Sequence, residues 1–287
     1  MAQYGIIRKG LIMQQYKFQQ VDVFSSQACF GNPVAVFLDS EGLSSERMQT
    51  IARWTNLSET TFVTASEKAD YKVRIFDPHS ELPFAGHPTL GTAWALKKAG
   101  LINGESCLQE CAFGLIKISF DDNRVFFELP HYSTQELTRD YDISRAFGAR
   151  LRSSYLITTG PQWVVAELED ALDINSLTPD LEQLSHLFND LKCDGVTIYN
   201  IDENEKVQVR TFFQAYKAII EDPVCGSGNA AVAAHIMVTG NTRNIGPSYE
   251  AYQGSALERD GRILVTLGDK ITIGGVCHTV FEGIAHL

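Results

Sequence analysis

The chain alternates short runs of β-branched and aromatic residues with polar, turn-forming stretches, and a few segments replace that rhythm with helical spacing. The runs YKFQQVDVF (16–24), VAVFL (34–38), TTFVT (60–64), YKVRIF (71–76), LIKISF (115–120) and RVFFELP (124–130) have the composition of strands. Segment SSERMQTIARW (44–54) begins on Ser44 and places Met48, Ile51 and Ala52 on one face, as an amphipathic surface helix does. Segment PTLGTAWALKKAG (88–100) is apolar on most sides, opens on Pro88, turns cationic at Lys97 and Lys98 and stops at Gly100. A helix that is apolar all round has to be wrapped by other elements.

The second half repeats this order. SYLITTG and QWVVAEL are followed by LTPDLEQLSHLF (177–188), GVTIYN (195–200), KVQVRTFF (206–213) and EDPVCGSGNAAVAAHIMVTGN (221–241). Placing Leu43 on Leu177 aligns the two amphipathic segments and sets TTFVT against DGVTIY, while Arg74 corresponds to Arg210. Residues 81–87 (ELPFAGH) then lie on 221–227 (EDPVCGS), sharing E-x-P-x-[small]-G ahead of an apolar helix. Ordered agreement of helix, strands and motif implies an internal duplication. The expected division is 17–130 for the first half, completed by a C-terminal strand at 276–287, and 131–275 for the second, with 1–15 a loose extension.

Composition narrows the function classes. The chain has 287 residues, 44% of them hydrophobic, and a formal net charge of −11 from 24 Lys and Arg against 35 Asp and Glu. That is long enough for two cores, and too acidic for nonspecific nucleic-acid binding, which needs clustered cations. Apolar stretches fall short of the ~20 residues of a membrane span, so no membrane partner and a cytoplasmic location are expected. The six cysteines include no C-x-x-C pair. They read as reduced, mostly buried thiols, with Cys107 and Cys111 expected to flank a turn.

Two like halves packed face to face would aim two helix N-termini into one cleft, each carrying a partial positive charge and unpaired N–H donors, a clamp for a carboxylate or enolate. Gly86 and Gly226 would let a ligand approach the backbone, or serve tight turns. The ionisable candidates on the lip are Glu59, Glu81, His87, Glu221 and Asp222. Glu59 sits in LSETTFV, where burial at the head of an apolar strand would raise its pKa for proton transfer; the alternative is a solvated strand end. His87 could orient or protonate a substrate or cap its helix, and Asp222 could neutralise an amine or cap the second helix. No histidine pattern suits a metal, and none is expected.

Taken together, DVFSSQACFGNPVAVFLDSEGLS, MQTIARWTNLSETTFV, RIFDPHSELPFAGHPTLGTA and EDPVCGSGN resemble the successive signatures of the phenazine biosynthesis PhzF-like proteins, from about residue 17 to the C-terminus. The resemblance implies the diaminopimelate epimerase-like fold, an α/β (α+β) architecture of two pseudo-twofold halves, each a curved, mostly antiparallel or mixed sheet around a central apolar helix. It also implies a cleft active site, no cofactor and commonly a homodimer. By the same resemblance Glu59 moves the substrate proton, with His87, Asp222 and Ser227 in the site. Cys225 stands where the family usually has Thr, and Gly228 where many relatives have Ala. Related racemases pair a cysteine at the position of Cys225 with a second one, but here that second position is Ala85.

The expected function is therefore a cofactor-independent isomerase of a small, possibly cyclic, carboxylate-bearing metabolite. Glu59, His87 and Asp222 would be catalytic, and Gly86, Pro88, Gly226, Ser227 and Gly228 would bind substrate. Two alternatives stand beside it: an amino-acid racemase or epimerase using Cys225 with Glu59, and a noncatalytic metabolite-binding protein.

Overall fold

Most strand-forming runs become strands within a residue or two, and their pairing shows how the halves relate. The computed structural model describes residues 14–138, 143–169, 173–202, 204–215 and 218–287. Most of the expected N-terminal extension, residues 1–13, lies outside the described residues, but Gln14 already exchanges backbone hydrogen bonds with Leu287. In the first half, β1 (Gln15–Val23), β2 (Asn32–Phe37), α1 (Ser45–Thr55), β3 (Glu59–Thr64), β4 (Tyr71–Phe76) and β5 (Glu81–Leu82) lead into α2 (Gly86–Lys98). Strands β6 (Ser106–Cys111), β7 (Gly114–Asp121), β8 (Arg124–Glu128) and β9 (Ser133–Glu136) follow, then the short α3 (Ile143–Phe147). The second half runs β10 (Leu151–Thr158), β11 (Gln162–Leu168), α4 (Leu181–Leu191), β12 (Gly195–Ile201), β13 (Val207–Ala215), β14 (Ala218–Asp222) and α5 (Gly226–Thr239). It ends with α6 (Thr242–Ile245), β15 (Ser248–Gln253), β16 (Gly261–Thr266) and the 15-residue β17 (Thr272–His286).

The pairing senses repeat step by step. β1–β2 is antiparallel, β2–β3 parallel, β3–β4 antiparallel, and β4 pairs antiparallel with β5 and parallel with β6. β10–β11, β11–β12, β12–β13, β13–β14 and β13–β15 show the same senses in the same order. Antiparallel hairpins then complete each half. β17 serves both: residues 272–274 pair with β16 of the second half, while 272–276 lie against β8 and 277–286 run antiparallel to β1 of the first. The sheet of the first half thereby closes through β1, β2, β3, β4, β6, β7, β8 and β17 into a barrel.

The apolar helices α2 and α5 fill these curved sheets. Every residue from 86 to 96 and from 226 to 236 is buried, which is why neither helix carries a polar face until its last turn. Small residues let the sheet close tightly around them: a Cβ at Gly91 would lie 2.4 Å from Val34 Cγ1. The amphipathic helices pack outside. α1 seats Met48 and Ile51 with Phe37, Phe62 and Phe76, and α4 seats Leu184, Leu187 and Phe188 with Val164, Val196 and Phe212. Among the described residues no helix is long and apolar enough to cross a membrane.

Three local expectations are corrected. From the surface helices to the Arg74 and Arg210 strands the repeat register is 136 residues rather than the 134 that Leu43 on Leu177 requires, because the caps fix the starts of α1 and α4; at the central helices, Gly86 to Gly226, it lengthens to 140. Ser44 and Asp180 each accept a first-turn N–H, and α1 and α4 end on left-handed Asn56 and Lys192. The central helix begins at Gly86, two residues before Pro88, whose missing N–H costs nothing inside a first turn. Cys107 and Cys111 share strand β6, their side chains on its buried face.

Candidate active site

The duplication brings the starts of α2 and α5 together. A Cβ at Gly226 would lie 3.2 Å from the His87 amide nitrogen and 3.4 Å from Gly86 Cα, so each glycine admits the other helix's backbone. Both positive helix ends therefore meet at the floor between the halves. Beside them opens a cleft of about 1030 Å³ whose walls include Glu59, Asp222, Cys225 and Ser227. Of the other expected site residues, Gly86 and Gly226 form the helix contact, and His87, Pro88 and Gly228 stand behind the wall. At Gly228 a Cβ would meet the Thr197 and Thr211 hydroxyls at 2.9 and 2.8 Å, which accounts for glycine there.

Glu59 heads β3, and its Oε2 lies 3.3 Å from Nε2 of His87 without the alignment of a hydrogen bond. Burial, followed by the charges of Asp222 and Asp77, holds the Glu59 carboxyl well above the usual range. Burial pulls His87 down to about 3, against the opposing pull of the Pro33 carbonyl, which accepts from its ring. Since Nε2 has no partner, the donor is Nδ1–H, and Nε2 turns its lone pair toward Glu59. Burial thus favours a neutral imidazole beside a carboxyl that holds its proton more tightly than an exposed one.

Asp222 closes β14, and burial raises its pKa to about 6. Its Oδ1 accepts from the Val224 amide at 3.0 Å and from Asn32 Nδ2 at 2.9 Å, while Asn32 Nδ2 also reaches the Val224 carbonyl. Gln253 donates to the Asp222 carbonyl and accepts from Cys225 N and Asn229 Nδ2. Asp222 is therefore not the cap of α5. That role falls to Cys225, whose Sγ accepts from Gly228 N at 3.3 Å. Burial and the nearby Asp222 raise the Cys225 thiol well above its ordinary value, so any lowering by the helix N-terminus is overcome.

Glu81 and Glu221, the repeated acids of E-x-P-x-[small]-G, are not on the cleft. Each forms a two-pronged ion pair with the repeated arginine: Arg74–Glu81 at 2.7 and 2.6 Å, and Arg210–Glu221 at 2.8 Å for both contacts. These pairs pin β5 and β14 to the neighbouring strand and so aim the chain into each central helix. Sequence reasoning passed over Asn32, Pro33, Asp77 and Gln253. The only signal for the first two was the Gly-Asn-Pro entry to β2, a turn-like composition with no chemistry attached.

Comparison with known proteins agrees with this geometry. The family model for phenazine biosynthesis-like proteins matches residues 21–283. Antisense-enhancing sequence 1 of Schizosaccharomyces pombe is 36% identical over 294 residues, covering 94% of this chain and 99% of that protein. The trans-2,3-dihydro-3-hydroxyanthranilate isomerase of Pseudomonas aeruginosa is 33% identical over 259 residues, covering 86% and 89%. A PhzF-family phenazine biosynthesis protein of Bacillus anthracis superposes with a TM-score of 0.83 at 26% identity, over 96% of this chain and 100% of that one. A hydroxyproline epimerase of Agrobacterium vitis, 13% identical with a TM-score of 0.66 over 95% of this chain and 93% of its own, shares the fold. Family model, relatives above 30% identity and fold all agree: the chain belongs to the phenazine biosynthesis-like, or PhzC-PhzF, family.

Proposed function

We propose that this isomerase shifts a proton on a small amino-carboxylate metabolite, using its own side chains. The observation that carries the reading is Glu59: a carboxyl on the cleft wall, raised in pKa, with one oxygen unbonded and backed by a neutral imidazole. Once ionised, such a group is a strong base, and it returns the proton readily as an acid. The neutral His87 ring faces Glu59 and steadies the carboxyl while it holds the proton. Asp222, fixed by Asn32, receives a substrate amine or hydroxyl. Ser227 and the paired helix starts stabilise the carboxylate and the enolate that develops as the proton leaves.

Charge supports a zwitterion. The cleft wall carries Glu59, Asp77, Asp194 and Asp222 but no Lys or Arg among its described residues. Among the described residues a dianion would find only helix dipoles to neutralise it. The family resemblance further supports a homodimer in the cytoplasm, a state that light scattering on the purified protein reads directly. The test of the chemistry is a screen of amino and hydroxy acids for deuterium uptake from D2O by NMR, with Glu59→Gln beside the native protein. Uptake and isomerisation should fall together by ~10²–10⁴-fold, the usual contribution of a positioned base. Undiminished uptake in Glu59→Gln would refute the assignment.

A further inference from the structure

The two walls of the cleft differ in chemistry. The first half contributes the polar group Glu59, Asp77, His79 and Ser80, whereas the second half, beside its polar Ser185, Asn189, Asp194 and Gln214, contributes an apolar patch of Pro161, Trp163, Phe188, Phe213 and Ile220. The 136-residue register explains the difference. It places Gly195 opposite Glu59 in the repeat, since Phe62 faces Arg74 across β3–β4 and Ile198 faces Arg210 across β12–β13. The second half therefore has no acid at that position. Instead the Trp163 ring fills the space, and a Cβ at Gly195 would lie 2.6 Å from its Cζ3.

Two further features mark this wall as more than packing. Ile220 keeps 44% of its surface exposed while lining the cleft, on a strand where it pairs with Phe213. The indole Nε1 of Trp163 is buried without an acceptor, at the cost of an unmade hydrogen bond. The cleft's volume of about 1030 Å³ also lies at the upper end for small-molecule sites and well beyond a single ring.

We infer that the substrate is amphipathic, with an amino-carboxylate head at Glu59 and Asp222 and an apolar, aromatic-sized tail lying on Trp163, Phe188, Phe213 and Ile220. This rests on the proton-transfer reading for the head and adds the tail. The Trp163, Phe188, Phe213 and Ile220 patch carries no acid or base of its own, so its contribution is affinity and selection rather than chemistry.

The test uses serine, phenylalanine and 4-phenylphenylalanine as probes, with binding measured by calorimetry and deuterium uptake by NMR. Affinity should climb at least tenfold from serine to 4-phenylphenylalanine. Ile220→Ser, at an exposed position and outside the proton-transfer groups, should cut affinity for the longest probe about tenfold and leave serine unchanged. Trp163→Phe, which keeps an aromatic ring but changes its shape, should also weaken the longest probe selectively. Affinity independent of tail length, no binding of any tailed probe, or equal effects of Ile220→Ser on all probes would each overturn the proposal. Tail-dependent binding without deuterium uptake would uphold the subsite and count against the proton-transfer reading. Uptake without tail dependence would do the reverse.

Discussion

Replacing Asp222 by Asn should make the protein more stable at pH 8 and no more stable at pH 4. The carboxyl's pKa rises on folding from 3.8 to about 6, because burial disfavours its charged form. Below about pH 4 it is neutral in both folded and unfolded chains, and folding is unpenalised. As pH climbs through 6 the folded state must accept a buried charge that the unfolded chain accepts easily, so stability is lost over that window. About two pKa units correspond to ~3 kcal/mol, and water in the open cleft reduces this toward ~1–2 kcal/mol. Asn keeps an acceptor for Asn32 and the Val224 amide, so the hydrogen bonds to Oδ1 survive. Urea unfolding of both proteins from pH 4 to 8 gives the difference directly, with titrating groups remote from Asp222 cancelling. A variant-minus-native difference that stays flat across the window would refute the reasoning, and a fall at pH 8 would show that the charged form is stabilised.

Asn32→Ala should destabilise by ~1–3 kcal/mol in urea titrations, since it strips donors from Asp222 and the Val224 carbonyl within a buried contact between the halves. Iodoacetamide followed by peptide mass spectrometry should label exposed Cys29 first and leave Cys225 unmodified in the folded protein; early Cys225 labelling would contradict its buried, raised thiol. Gly226→Ala should lower activity and stability together by pushing α5 off His87 and Gly86, with a melting-temperature drop but unchanged secondary structure by circular dichroism.

Local patterning made several elements readable. Met48 and Ile51 announce α1, the unbroken apolar run after Gly86 announces a wrapped helix, and Ser58-Glu59-Thr60 sets an acid at the mouth of an apolar strand. The repeat was visible through the Arg and the E-x-P-x-[small]-G motif, although those acids proved to be arginine partners rather than cleft groups. What stayed hidden depends on long-range geometry. Asn32 meets Asp222 across 190 residues, a contact that no sequence window contains. The two-residue register error arose because leucine matches leucine in any amphipathic pattern, whereas the true phase is set by Ser44 and Asp180 capping their helices. With the wrong phase, the substitution of Gly195 for Glu59 between the halves, and with it the Trp163 wall, could not be seen.

The path of β17 bears on how the chain is made. Strand β1 waits for its partner Cys277–His286, about 260 residues further along the chain, to leave the ribosome. At ~5–20 residues per second, that interval is on the order of ten seconds or more, with the apolar inner face of β1 lacking its closing neighbour throughout. Barrel closure thus comes late and with very high contact order, and holding chaperones have a natural substrate in the unclosed first half. The same arrangement leaves Gln14 hydrogen-bonded to Leu287. Linking Gln14 directly to Leu287 and reopening the chain at an exposed turn would bring β1 and β17 together in sequence, turning a pairing of very high contact order into a local hairpin.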